Sequence, residues 1–521
     1  MTLNLTAAMT FQFIINEDNG HYFTQNAALM NEPSLRSYID RYAAGGVNVI
    51  SFCTNGMRAS FQSRVLEAMW DALPPEVDPT AVCQQWLKSN LNGLPEESPD
   101  ENDCHDNWPF HAKLLHTAGL NPYRIWLDQC RRNGIQAWIS LRMNDCHHVA
   151  PCLAYRADRR WFQHPEWRRD RGTTQIQDGQ SWEDYYVPHQ PDICWDYAVP
   201  EVRAIMADFF AENVELYDAD AFELDFMRDP YCLTPGRERQ EAHCLTELLR
   251  NCRAILDKWS ARRGRRLGLV ARVPWDPEVA QAWGFDVQTW CAEGLVDTIV
   301  ASAYWRSCQD EFPIDAWTAV TGGRATVFPG VDMWMASAPE LPFDTTTAEN
   351  LRGWMNNMCA QGTPGVYLFN FPFCLQPEHV PAAEAEQFRV MLRRKLSPET
   401  LAAGPCRYQI GYVDFCAPGE QCHSVLPAQL SAGQEVILKL RVGRLPRRGC
   451  VVVTAQFAEP TAGARCALLV NGHPAAPNGE ISLDHLRTGD NLFTVKCPPD
   501  DGPATLNNLA LAVHEIKTAN A

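Results

Sequence analysis

The chain has twenty cysteines but no CxxC pair and no zinc-type spacing. Its opening residues, MTLNLTAAMTFQFIINEDNG, lack a basic stretch leading into a long apolar core, so no secretory signal is read. No later run is long enough to span a bilayer. Together these absences lead us to expect reduced thiols and a cytoplasmic protein. A trimmed secreted chain with disulfides is the competing reading, and Cys416 and Cys422 in CAPGEQC are the pair to watch. Positive charge is scarce: 45 Lys and Arg stand against 63 Asp and Glu, a net charge of −18. That balance argues against nucleic acid or an anionic membrane surface as a partner and leaves a neutral substrate open, along with homo-oligomers. No Gly-rich phosphate loop follows the first predicted strand, which weakens a doubly wound open sheet, the main rival to a barrel. HxH and HExxH spacings are also missing, so no metal and no cofactor are expected.

At 521 residues the chain exceeds one ordinary core. Short apolar runs alternate with helical patterns through its first three quarters. Strands are predicted at 10–15, 47–53, 135–141, 220–226, 267–272, 297–303, 325–330 and 365–371, with helices between them. Long excursions fall at 57–119 and 150–196. Eight such units predict a (β/α)8 TIM barrel with long βα-loop insertions over residues 1–398. From 399 to 521, short β-type runs between Gly, Pro and Asn turns predict a small C-terminal β-sandwich, an accessory domain packed on the barrel.

The stretch YDADAFELDFMRDP, residues 217–230, organises the rest. Phe222, Leu224 and Phe226 alternate with Glu223 and Asp225, so a strand puts the two carboxylates on one face. Helical patterns on both sides make this a βα unit, whose strand is covered on both faces. Carboxylates on a covered face are costly unless paired or used. Asp225 lies nearer the barrel mouth and is the candidate for chemistry. Glu223 lies one layer deeper, where a cation from Arg142 or Arg272 would pair with it, in a structural or orienting role.

Barrel sites form at the C-terminal ends of strands. Polar residues fall there in turn: Glu17 with Asp18, Asn55, Arg142, Asn144, Asp145, His147 and His148, Arg272 with Trp275 and Asp276, Tyr304 and Trp305, Asp332, and Asn370. Seventeen Trp is a high count, and aromatic faces stack on sugar rings, though Trp also fills cores. Asp145, His147 and His148 could instead hold a metal, the basis of a metal-dependent hydrolase or lyase as an alternative.

At the central strand, YDADAFELDF resembles the fourth-strand pattern of the family-10-like glycosyl hydrolases, and LVDTIVASAYW resembles their sixth-strand segment. The resemblance spans roughly residues 8–395 and implies a (β/α)8 hydrolase of glycosidic bonds, with the strand-end carboxylate at Asp225. The same stretch is similar to the family 18 chitinase pattern DGxDxDxE, with Asp220, Glu223 and Asp225 in the acidic places. The chitinase acid would fall at Met227, which has no proton to donate. The expected mechanism is two-carboxylate glycoside hydrolysis. Asp225 is nucleophile or base, and Asp332, or else Asp276, is the acid with a raised pKa. Trp275, Tyr304 and Trp305 form a sugar platform, and Arg142, Asn144, His147 and His148 bind hydroxyls. Asp225→Asn is expected to stop turnover with little change in melting. A glycan-binding barrel that cleaves nothing is the other alternative.

Overall fold

The computed structural model describes residues 11–18, 20–72, 107–146, 157–174, 189–305, 307, 309–338, 344–375, 380–459, 465–499 and 503–515. Eight parallel strands close on themselves: β1 Gln12–Glu17, β2 Val49–Cys53, β3 Gln136–Arg142, β4 Ala221–Asp225, β5 Gly268–Pro274, β6 Thr298–Ser302, β7 Thr326–Asp332 and β8 Gly365–Phe369. Each pairs with its neighbours in sequence, and β8 pairs with β1 to complete the ring. The predicted TIM barrel is therefore the observed fold. β1 starts and ends two residues later than predicted, so Asn16 and Glu17 belong to the strand and not to a loop.

Why β4 sits as it does follows from its alternation. Phe222, Leu224 and Phe226 turn outward beneath the helices, with Phe222 against Phe210 and Phe226 against Phe285 and Trp290. The flanking helices are Pro200–Leu216 and Glu238–Arg263, the second stopped by Gly264 at a φ of 67°, a left-handed cap that suits glycine. Glu223 and Asp225 turn inward.

The barrel interior has two chemistries. Its floor is apolar: Ile14, Val49, Trp138, Ala221, Val270, Val300, Phe328 and Tyr367 pack together. Two residues further along the strands the inward face reads Asn16, Ser51, Ser140, Glu223, Arg272 and Ser302, all buried. On β7 that position is Gly330, where a Cβ would sit 2.9 Å from Ser302 Oγ and 3.2 Å from Val300. The glycine gives Ser302, and through it Arg272, their room. Barrel interiors of this class are filled mostly by branched apolar side chains. A polar upper half costs folding energy and points to use.

Beyond the barrel two antiparallel sheets face a shared apolar core. One holds Cys406–Gln409, Ala504–Glu515, Gly449–Phe457 and Glu480–Ile481, with Ala428–Leu430 beside it. The other holds Glu435–Val442, Gly489–Lys496, Ala467–Val470 and His473–Ala475. A strap from this part reaches the barrel mouth. Asp414 accepts the backbone N–H of Tyr304 at 3.2 Å and of Trp305 at 2.7 Å. Phe415 packs on Trp283, Tyr231 and Tyr304. Among the described residues no helix is long and apolar enough to cross a membrane.

Candidate functional site

The upper interior is built around Arg272, which is fully buried. Its Nη1 reaches both oxygens of Asp225, at 3.0 and 3.1 Å, and its Nη2 donates to Ser302 Oγ at 3.1 Å. The guanidinium lies over the Phe369 ring, 4.0 Å from its centroid. Strand order explains the pairing, because Asp225 and Arg272 are register partners on adjacent parallel strands. The backbone N–H of Met227 also donates to Asp225 Oδ1, at 2.9 Å.

Glu223 was the residue expected to pair with arginine, and the structure reverses the two. Glu223 rests on hydroxyls: Ser140 at 2.7 Å, Tyr367 at 2.9 Å and Ser51 at 3.4 Å. Burial, helped by the charge of Asp225, raises its pKa to about 7, against the pull of Ser140, Arg272 and Tyr367. The hydroxyls of β2, β3 and β8 thus hold the carboxyl group in place and offset part of the effect of burial.

Asp332 ends β7, and three steps of the ring separate that strand from β4. It accepts the backbone N–H of Trp334 at 3.2 Å and Asn370 Nδ2 at 2.9 Å. Burial raises its pKa to about 7, outweighing those hydrogen bonds and the charges of Arg272 and Arg228. Asn370 holds a left-handed backbone with φ 56°, and its Oδ1 has no partner among the described residues. Rotating that amide by half a turn would offer Oδ1 to a protonated Asp332.

The β1 register decides which of its acids faces the mouth. Asp18 shares the inward face of Ile14 and Asn16, and its Oδ2 lies 2.6 Å from Arg142 Nη2. Burial alone would raise the Asp18 pKa, but Arg142, His21 and Arg228 overcome it and hold it low. Glu17 points the other way and is not at the mouth, contrary to expectation. Tyr38 from the helix Glu32–Ala44 donates to its Oε2 at 2.6 Å, and burial raises its pKa. Arg142 also bonds Asp145 at 2.6 Å. Asp145 is thus held by an arginine, while His147 and His148 lie outside the described residues.

Several expected ligand groups are engaged elsewhere. Asp276 caps the helix Pro277–Ala282 through the N–H groups of Glu278 and Val279, the work of an N-cap and not of an acid. Trp275 is buried against Phe312 and donates to the Glu311 carbonyl, so it is barrel wall and not sugar platform. Asn55 braces β3 through both backbone groups of Arg142. Asn144 ties the carbonyls of Trp195 and Tyr231 together. Tyr304 and Trp305 do stand half-buried at the rim, with Arg228 over the Trp305 ring at 4.9 Å. Arg228, Ser302 and Trp195 were not foreseen as ligand groups, whereas Asp18 was expected at the end of β1 and stands there beside Arg142. Beside Arg142 and Asp145 a cavity of about 20 Å³ has room for one water. Trp195 lines it, with an indole N–H that has no partner among the described residues.

No family model matches the chain, and no curated protein matches it. Solved structures do. An α-L-fucosidase isoenzyme from Paenibacillus thiaminolyticus shares 11% identity at a TM-score of 0.43, over 77% of this chain and 51% of its own. The present chain therefore spans about half the length of that relative. A noncanonic maltogenic α-amylase from Thermotoga neapolitana shares 12% at 0.37, over 97% and 99% of the two chains. A glycoside hydrolase family 18 N-acetylglucosaminidase from Paenibacillus barengoltzii shares 10% at 0.36, over 74% and 100%. None of the three is described as a family-10 enzyme. Likeness at this level assigns no residue a role.

Proposed function

We propose that the chain is a glycoside hydrolase with Asp332 as general acid and Asp225 as the carboxylate that meets the developing positive charge. One observation carries this reading. Two inward carboxyl groups end β4 and β7 in opposite environments, one against an arginine and one in a setting that keeps its proton up to about pH 7. That division of labour is what glycosidic cleavage requires. Asp332 gives its proton to the leaving oxygen as the bond breaks. Asp225, aligned by Arg272, stabilises the anomeric carbon directly or through a water. Glu223 beneath it is a positioning group, and Trp305 with Tyr304 forms the part of the sugar platform that remains. The test is hydrolysis of a panel of nitrophenyl glycosides and oligosaccharides by the wild type and by Asp332→Asn. Turnover of at least one oligosaccharide, lowered a hundredfold or more in the variant, supports the assignment.

A second reading is a barrel that binds glycans without cleaving them. The hold of Arg272 on both Asp225 oxygens favours it, because those oxygens are already occupied. Saturable sugar binding with no hydrolysis across the panel would establish this reading and end the first. The metal-dependent alternative built on Asp145 has no such support, since that carboxylate is paired with Arg142.

A further inference from the structure

One buried cluster takes no part in the proposed chemistry. Cys146 follows β3, Cys194 lies in the segment before the helix Pro200–Leu216, and Asp229 follows β4. Both sulfurs and one carboxylate oxygen lie within 4.8 Å of one another, and all three residues are buried. We propose that these three residues form a binding site for a borderline-soft divalent cation, with zinc the type.

The donor set selects the ion. Two thiolates and a carboxylate suit zinc or cobalt, whereas magnesium and calcium take oxygen ligands. A tetrahedral ion with bonds of about 2.3 Å to sulfur and about 2.0–2.2 Å to oxygen sets its ligand atoms roughly 3.5–3.8 Å apart. The three ligand atoms stand within 4.8 Å of one another, so the side chains would have to draw in when the ion binds. The carboxylate is already oriented: the Cys146 N–H donates to Asp229 Oδ2 at 2.6 Å, and Gln190 Nε2 donates to Oδ1 at 2.5 Å. Such supporting bonds are what fix a ligand before an ion arrives. The fourth position falls to water or to the Gln190 carbonyl, which stands 3.3 Å from Cys194 Sγ.

Binding is a displacement without redox change. The ligand form of cysteine is the thiolate, so each sulfur gives up its proton on binding. The ion forms two metal–sulfur bonds and one metal–oxygen bond, and the two thiol protons leave to solvent. Affinity therefore weakens as pH falls. The ion would tie three segments that meet only in the fold, which is why spacing along the chain gives no zinc signature.

The full chain, purified reduced and without chelator, is titrated with cobalt(II) and with zinc. One cobalt per chain is expected, with tetrahedral visible bands and a thiolate charge-transfer band in the near ultraviolet. Cys146→Ser, Cys194→Ser and Asp229→Asn should each weaken binding at least tenfold. Cys416→Ser should leave the bands unchanged, which separates this site from the exposed thiol pair. A variant that misfolds is covered by X-ray absorption on the zinc-loaded wild type, where two sulfur and two lighter neighbours are expected. Absence of the cobalt bands in fully reduced protein, a zinc shell with no sulfur or four sulfurs, or bands that survive loss of both cysteines would each overturn the site. A native disulfide between Cys146 and Cys194 would overturn it as well.

Discussion

Arg272 and Asp225 are each about 1% exposed at the side chain, so neither can turn to water if the other is removed. Breaking such a pair costs about 3–5 kcal/mol, because the remaining charge is stranded. Arg272→Met is therefore expected to lower stability by about that much in urea denaturation, and adding Asp225→Asn to it should recover part of the loss. Asp225→Asn alone is therefore not the quiet change expected from the sequence. It leaves Arg272 without its carboxylate and should lower the melting temperature, so lost activity in that variant does not isolate chemistry from folding. Asp332→Asn is the cleaner probe. The Asp332 pKa is raised in the fold to about 7 from 3.8, so the folded chain holds this proton more tightly than the unfolded one. The stability it contributes is complete below about pH 4 and is lost as pH rises through 7. An amide never ionises. The melting temperature of Asp332→Asn relative to wild type should therefore rise between pH 5 and pH 8.5, by the equivalent of a few kcal/mol at most, since one pKa unit is worth about 1.4 kcal/mol. A difference that is flat with pH would mean the carboxyl group is not perturbed.

At the scale of elements, strand ends decided which expectations held. The alternation Phe222 to Phe226 was enough to place Glu223 and Asp225 inside, because both faces of a parallel strand are covered and only one is lined by helices. It was not enough to choose which of the two meets an arginine, since that depends on the register of β5 against β4. On β1, two residues of extension put Asp18 at the mouth and Glu17 behind it. Asp276 illustrates a different ambiguity. An acid just past a strand and just before Pro277 reads equally as a catalytic group and as a helix cap, and only coordinates separate them. Asp276→Ala is expected to cost about 1 kcal/mol of stability and to leave hydrolysis unchanged, measured by thermal melts and assay. A large loss of turnover at unchanged stability would return Asp276 to the reaction. The strap from the C-terminal sheets carries its own prediction. Cys416 and Cys422 place their sulfurs 2.6 Å apart beside Phe415 and Asp414. Oxidised glutathione should join them, lowering the mass of the 416–422 segment by two hydrogens, and Cys422→Ser should prevent it.

For the whole molecule, the closed ring was legible because eight apolar runs separated by helical periods admit few arrangements. The contents of the ring were legible only in part. Ser51, Ser140 and Ser302 look like ordinary strand residues in the sequence, and their meaning comes from three strands converging on Glu223 and Arg272. The buried trio at Cys146, Cys194 and Asp229 was hidden for the same reason. The central claim is that the polar upper half of the barrel delivers a proton from Asp332 to a glycosidic oxygen. The most direct measurement compares Asp332→Asn with wild type on two glycosides of the same sugar, one with a 2,4-dinitrophenol leaving group and one with an alkyl alcohol. A group that needs no protonation should be cleaved nearly as fast by the variant, while the alkyl glycoside should slow a hundredfold or more. Equal losses on both substrates, or none on either, would contradict the role given to Asp332.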